Sequence, residues 1–285
     1  MKLPPFDYAC PATVDEAVAL LAAHDGAARP LAGGQSLIPV LAFRLAEPKL
    51  LVDLRKLPGL DGIEVSGDGV RLGAMVRWRS IEDDARLRTA HPLLAAAVRH
   101  VAHYPIRNRG TVGGSLAHAD PAAELPGIAV ACEASLSVAG PTGTRTIRAD
   151  DFFLGPLATA LQPNEIIVEL HLPPWPTARR WGFEEFARRR GDFALAGVAL
   201  FYDCDESGRA AGAHVGVIGA GDRPRRLDEV EAMIDGRAVD ETTIAVASRA
   251  AAASVDPTED IHASAAYRRA LVATLTERAL RQASA

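Results

Sequence analysis

Two glycine pairs in near-identical surroundings constrain this chain more than any other feature. They are Ala32-Gly33-Gly34-Gln35-Ser36-Leu37 and Thr111-Val112-Gly113-Gly114-Ser115-Leu116. Each follows a stretch of extended character, sets two residues without a Cβ beside a hydroxyl, and returns to apolar sequence. Glycine lets backbone N–H groups turn toward an anion and lets a ligand come close. One such pair reads as an ordinary turn. Two, from distant parts of the chain, predict a diphosphate held from both sides. Turn stabilisation is the alternative role for the Ser36, Thr111 and Ser115 hydroxyls.

The sequence around the pairs reads as α/β. Thr13-Val14-Asp15-Glu16 is a capping box, followed by an apolar helix face through Ala17, Val18, Leu20 and Leu21 and a stop at Gly26. Arg29-Pro30-Leu31 leads into the first pair, and Leu50–Leu54 is a buried-strand candidate. Ile63–Val65 and Val70–Leu72 predict a hairpin around Ser66-Gly67-Asp68-Gly69. A helix is expected from Leu93 to His103, broken by Pro105 ahead of the second pair. Another runs from Pro126 to Ala134, with strands at Ala134–Val138 and Ile166–Leu172. Pro173-Pro174-Trp175-Pro176 neither continues a helix nor pairs inside a sheet, and marks a domain boundary. Beyond it, Phe193–Tyr202 and His214–Ile218 read as paired strands, and Leu227–Ile234 and Thr242–Ala253 as helices. A long amphipathic helix starts at Ser264, with Ala265, Tyr267, Leu271, Leu275 and Leu280 on its apolar side. The three tryptophans, Trp78, Trp175 and Trp181, read as core or interface anchors.

Composition narrows the chemistry. A net charge of −5 gives no electrostatic reason for nucleic-acid binding. No apolar run is long enough for a membrane span and no secretory signal is evident, so a cytoplasmic protein is expected. Cys10, Cys132 and Cys204 are too scattered for an iron–sulfur cluster or a structural zinc site, and the eight histidines show no metal-binding spacing. Redox chemistry here requires an organic cofactor. Gly216-Val217-Ile218-Gly219-Ala220-Gly221 imitates a dinucleotide fingerprint, but Pro224 stands where its third glycine belongs, and a strand entering a turn is the better reading.

Taken together, AGGQSL, IRNRGTVGGSLAHADPAAELP, Asn164-Glu165-Ile166-Ile167, ARRRGDFALAGVAL and the Asp260–Arg269 segment resemble the FAD-binding medium subunit of molybdenum-containing hydroxylases, which include carbon monoxide and xanthine dehydrogenases. The resemblance implies an α+β fold: a two-lobed α/β FAD-binding domain of PCMH type over 1–175 (lobes about 1–56 and 57–175), then an α+β domain with a small antiparallel sheet over 176–285. It implies that Ala32, Gly33, Gly34, Gln35 and Ser36 form one phosphate cradle, with Leu37 also binding the cofactor. Thr111, Val112, Gly113, Gly114 and Ser115 form the other. Glu124 falls at an acidic cofactor-contact position with Asp120 close by, Ile167 at an aliphatic contact, and Phe193 near the isoalloxazine. His118 either packs between the lobes or touches the flavin or ribityl chain. Two departures stand out: Glu184-Glu185 replaces a lysine of some relatives, and Phe193 replaces a tyrosine of the carbon monoxide enzyme.

The implied function is an electron-transfer subunit with non-covalent FAD and no catalytic residue of its own. The [2Fe-2S] clusters and molybdenum cofactor are expected on a small and a large partner subunit, in a dimer of heterotrimers that delivers electrons to an external acceptor. Arg188-Arg189-Arg190 reads as a solvated face or a docking patch. The competing readings are a stand-alone FAD oxidase or reductase and a cofactor-free scaffold.

Overall fold

Parallel strands need crossovers, and the start of the chain supplies two. The structure is a computed structural model and describes residues 2–285. β1 (Asp7–Ala9), α1 (Val14–Ala23), β2 (Ala28–Leu31), α2 (Leu37–Ala42) and β3 (Leu50–Asp53) form a parallel sheet ordered β1-β3-β2. β3 lies in the middle with all its residues buried, which accounts for its unbroken apolar run. Thr13 caps α1 by accepting from the Glu16 amide, 3.1 Å away. Glu16 reaches one residue past the cap and accepts from the Ala12 amide at 2.9 Å.

The second lobe is antiparallel. β4 (Ile63–Ser66) and β5 (Gly69–Gly73) form the expected hairpin. Helices follow: α3 (Trp78–Asp83), α4 (Ala85–Ala90), α5 (Pro92–Ala97), α6 (Tyr104–Arg107), α7 (Val112–His118) and α8 (Glu124–Ala131). Then come β6 (Ser135–Gly140), β7 (Gly143–Arg148), α9 (Ala149–Phe152), the short pair β8 (Phe153–Gly155) and β9 (Ala158–Thr159), and β10 (Ile166–Leu172). The main sheet runs β4-β5-β10-β6-β7. β10 joins the lobes: Ile166 packs into the first-lobe core and Ile167 into the second, because neighbouring strand residues face opposite ways.

Several sequence boundaries shift: the helix expected over Pro126–Ala134 runs Glu124–Ala131, and the strands expected from Phe193 and His214 start at Ala196 and Ala210. Three further differences have a plain physical cause. The helix expected to reach His103 ends at Ala97, and the chain turns from Val98 with Ala102 at φ +44°. Pro105 then opens α6, where its missing N–H costs nothing, instead of breaking a longer helix. The second glycine pair is no bend at all: it lies in the first turn of α7, capped by Thr111.

In the C-terminal part, β11 (Arg180–Phe186), β12 (Ala196–Cys204), β13 (Ala210–Ile218) and β14 (Arg225–Arg226) form an antiparallel sheet. One face carries α10 (Asp228–Ile234), α11 (Glu241–Ser254) and α12 (Ala265–Ser284); the other packs on the N-terminal part. β12 shows the division: Val198, Leu200 and Tyr202 enter the C-terminal core, Ala199 and Phe201 the second-lobe core. Trp175 sits in this seam, 4.6 Å from the His91 ring and 5.2 Å from Phe201. Trp78 is buried and Trp181 packs against the same core. On α12 the apolar face differs from expectation at one position: Tyr267 is exposed and Arg268 takes the buried place. Among the described residues, no helix is long and apolar enough to cross a membrane.

Candidate cofactor site

The two glycine segments touch. Gly33 lies so close to the Arg109–Gly110 peptide that a Cβ would overlap the Arg109 carbonyl oxygen and stand 2.9 Å from Arg109 C and Gly110 Cα. On the far side, a Cβ on Gly113 would stand 2.6 Å from Ala74 Cβ and 2.9 Å from Ala74 O. One on Gly114 would come within 2.8 Å of Thr111 Oγ1 and 3.6 Å of Ala32 Cβ. Glycine is therefore required at 33 and 113 by space rather than by dihedral angle. Only Gly34, at φ +73°, uses the left-handed region.

Their backbone amides differ. Those of Gly33, Gly34, Gln35, Ser36 and Leu37 donate to no acceptor among the described residues, and the Gln35 side chain braces the turn by donating to Gly33 O at 3.0 Å. In the second segment Val112 donates to Val76 O, Gly113 to Ala74 O, Gly114 to Thr111 Oγ1 and Ser115 to Thr111 O. Both segments run into a helix, α2 and α7, so the difference is docking: the second segment lies against the chain after β5, which takes the Val112 and Gly113 amides, whereas among the described residues no strand lies against the first. Donors free for an anion are thus the first segment's amides, with the hydroxyl of Ser115 on the opposite wall.

Between the segments opens a cleft of about 1230 Å³. Ala32, Gly33, Gly34, Gln35, Ser36 and Leu37 line one wall; Thr111, Gly113, Gly114, Ser115, His118, Asp120 and Glu124 line the other. Ile167 and Phe193 also face it. Val112 does not, its side chain being fully buried in the second-lobe core. Ala119, at φ +51°, ends α7 just after His118, and Asp120 Oδ1 accepts from the Ala122 amide at 2.9 Å to start the turn into α8. Burial, and then the Asp120 charge, push the Glu124 carboxyl above the usual carboxylate range.

Phe193 arrives on the connector from β11 to β12 and is 66% exposed. The connector is pinned at Gly191 (φ +85°), where a Cβ would stand 2.6 Å from His103 Cε1 and 2.7 Å from Ala102 O. Arg188 and His262 also line the cleft, hydrogen-bonded to each other at 3.0 Å, and so does His103. Arg188 is exposed, as a solvated or docking residue would be, yet it lines the cleft, and no local spacing in the sequence marks either histidine. Arg188 and His262 nevertheless belong to the ARRRGDFALAGVAL and Asp260–Arg269 segments that carry the resemblance.

The chain matches two family models: the FAD binding domain in molybdopterin dehydrogenase over residues 4–175 and the CO dehydrogenase flavoprotein C-terminal domain over 181–283. It is 42% identical to the nicotine 6-hydroxylase medium subunit of Paenarthrobacter nicotinovorans, over 100% of this chain and 99% of that one. The chain belongs to the FAD-binding medium subunits of molybdenum hydroxylases. Solved structures agree. A carbon monoxide dehydrogenase chain from Hydrogenophaga pseudoflava aligns with a TM-score of 0.96 at 36% identity, covering 99% of this chain and 98% of that one. Quinoline 2-oxidoreductase from Pseudomonas putida 86 gives 0.94 at 38%, covering 100% and 98%. This medium subunit is thus an oxidoreductase component that carries FAD, and the antiparallel second lobe and C-terminal sheet are the fold of its relatives.

Thr111 offers a local test. Its hydroxyl, in a residue only 3% exposed, accepts from the Gly114 amide at 3.2 Å. Thr111→Val keeps the shape but leaves that amide unpaired, and is expected to lower stability by about 1 kcal/mol. Urea unfolding measures it; an unchanged midpoint excludes the cap from the energetics of α7.

Proposed function

We propose that this chain relays electrons from iron–sulfur clusters on a small partner subunit, fed by a molybdenum centre on a large one, to an external acceptor. The assembly is a cytoplasmic dimer of heterotrimers, and the chain divides into its two working parts at about residue 175. The observation that carries the reading is the contact of the two glycine segments at the edge of a large cleft, with a run of free amides on one side.

The residues present fit FAD. The amides of Gly33–Leu37 form an anion nest of the kind that holds phosphate oxygens, and the Ser36 and Ser115 hydroxyls add donors. The bare backbone at Gly33, Gly34 and Gly114 lets the diphosphate approach. Ile167, Leu195 and Phe193 give the cleft an apolar wall against which a flat ring system packs and from which water is excluded. Glu124, Asp120 and His118 supply polar contacts to the rest of the dinucleotide. When bound, FAD supplies a ring that accepts and returns electrons singly or in pairs. The chain's own task is to hold that ring, shield it, and set the charge around it.

The large apolar side chains of Phe43, Leu45, Leu157 and Phe193 are 60–77% exposed, Leu157 and Phe193 on the cleft and the other two beside its lining residue Ala46. Apolar groups left in water near one opening mark a surface that partner subunits cover. Purification at native stoichiometry tests the whole reading. The expected result is three co-eluting polypeptides, a flavin absorption band, and flavin released into the supernatant by acid. A fully active lone chain, or flavin retained in the acid pellet, overturns it.

A further inference from the structure

A buried carboxylate without a counter-ion is costly, and among the described residues Glu185 has no lysine or arginine partner. Its side chain is 3% exposed, and its Oε2 has no hydrogen-bond partner among those residues. β11 alternates: Trp181 and Phe183 pack on the second-lobe core, whereas Gly182 backs onto Ala279 of α12, so Glu185 points into the seam. There it meets His100, whose Nδ1 is 3.8 Å from Glu185 Oε1. Burial, and then the charge of Arg190, hold His100 below its usual range, so at neutral pH it brings no positive charge.

Glu124 reaches the same place from the cleft. Glu185 pairs in register with Gly197, and Gly197 with Ile218. The Ile218 side chain fills the space that a Cβ on Gly127 would need, and Gly127 lies one helical turn after Glu124 on the same face of α8. Glu124 lines the cleft beside Asp120. Among the described residues, no lysine or arginine lies within ion-pair distance of Glu124 or Glu185. Behind the strand, α12 offers the Gln282 carbonyl to the Phe183 amide, and its Arg268 is engaged with Leu195, Gly219 and Asp260. Burial raises both carboxyls, Glu124 further by Asp120 and Glu185 further by Glu124. Carboxyls so placed titrate as a pair.

We propose that Glu124 and Glu185, facing the seam from its two sides, form a carboxyl pair that takes up a proton when negative charge arrives in the cleft. The proposal rests on the flavin reading above. The partner's electrons reach FAD, held at the Gly33–Leu37 amides and Ser115, together with part of the matching protons. The carboxylates of Glu124 and Glu185 bind a solvent proton, forming an O–H bond, to offset the negative charge left over. Glu185 touches no ligand itself; it is a positioning residue that acts through Glu124.

Infrared difference titration of the flavin-bearing complex between about pH 6 and about pH 9 reads the pair directly. The expected result is a protonated-carboxyl band at pH 7 that ionises well above the ordinary glutamate range and is diminished in Glu185→Gln, the remainder belonging to Glu124. The pH dependence of the midpoint potential gives protons bound per two electrons, expected to be smaller in Glu185→Gln than in wild type. Stability gives a third reading. A folded-state carboxyl raised above its unfolded value binds the extra proton in the folded state, so stability falls as pH rises through that interval. Glu185→Gln is therefore expected to lose less Tm than wild type between pH 6 and pH 9. Absence of a protonated-carboxyl band at pH 7 in the wild type, or equal proton uptake in wild type and variant, overturns the pair. If the variant fails to fold, the wild-type titration decides alone. A complex without flavin sinks the cofactor reading instead, and its infrared band still reports on the carboxyls.

Discussion

Gly33→Ala is expected to strip flavin from a chain that still folds. The alanine Cβ would overlap the Arg109 carbonyl oxygen and crowd Arg109 C and Gly110 Cα at 2.9 Å. All three are backbone atoms, so none can swing aside as a side-chain tip would. The two segments must part by a distance on the order of 1 Å, at a cost of about 1–3 kcal/mol for overpacking. The lobes have separate cores, the first around Leu21, Leu50 and Val52 and the second around Leu93, Leu116 and Leu136, and neither includes Gly33. The damage therefore falls on the cofactor. If the diphosphate needs the Gly33–Leu37 amides on one side and Ser115 on the other, a shift of that size breaks both sets of contacts together. Affinity is expected to fall at least tenfold, about 1.4 kcal/mol. Gly34→Ala is the control: its neighbours, Ile38 Cγ1 and Leu31 Cδ1 at 3.3 Å, are side-chain atoms able to give way. Its penalty is the left-handed backbone at φ +73°, about 1 kcal/mol. Flavin content per chain and the Kd of the stripped protein measure both. Wild-type flavin content in Gly33→Ala would show that the contact between the segments does not shape the site.

The two glycine segments were more legible in the sequence than the edge strands. Paired glycines beside hydroxyls mark both without any knowledge of the sheet, and the close neighbours that demand glycine at 33 and 113 are Arg109 and Ala74 of the chain itself. What the sequence could not reveal was the difference between the segments. An amide's availability depends on Val76 and Ala74, which lie far from Thr111 in sequence and meet it only when α7 docks beside β5. β1, β7 and β11 gave no usable pattern for related reasons. β1 is a three-residue edge strand whose pattern is mostly exposed, and β7 is exposed at all but Ile147. In β11 the alternation is spoiled at Glu185, the position where a charge points inward. The long strand β12 was legible because both its faces are buried, and β10 because Ile167, Leu170 and Leu172 keep one face in the second-lobe core. The exchange of Tyr267 for Arg268 on α12 broke a period-based reading for a different cause: the helix starts against a turn that needs hydrogen-bond donors more than it needs an apolar side chain.

Arg268 is that donor, and its loss is expected to produce the largest fall in stability. Only 7% exposed, it gives Nη1 to Leu195 O at 2.7 Å and to Gly219 O at 2.9 Å, and Nη2 to Asp260 Oδ2 at 2.8 Å. One guanidinium thereby ties together the end of the β11–β12 connector, the turn after β13 at Gly219 (φ +68°), and the loop ahead of α12. Arg268→Met preserves most of the apolar stem and removes every donor. The Asp260 side chain is 46% exposed and can turn to water, so its ion pair contributes little. The Leu195 carbonyl has no such escape, and that of Gly219 is part-buried. Leaving these acceptors without a charged donor costs about 2–4 kcal/mol, a large part of the ~5–15 kcal/mol available to a domain. Arg268→Lys is expected to recover less than half, because a single ammonium on a shorter fork cannot span all three acceptors. Since Leu195 also lines the cleft two residues after Phe193, flavin should loosen in parallel with stability rather than independently of it. Urea unfolding with flavin fluorescence as a second probe separates these cases: a loss below about 1 kcal/mol in Arg268→Met would mean that the loop, the turn and the connector hold their places without the guanidinium.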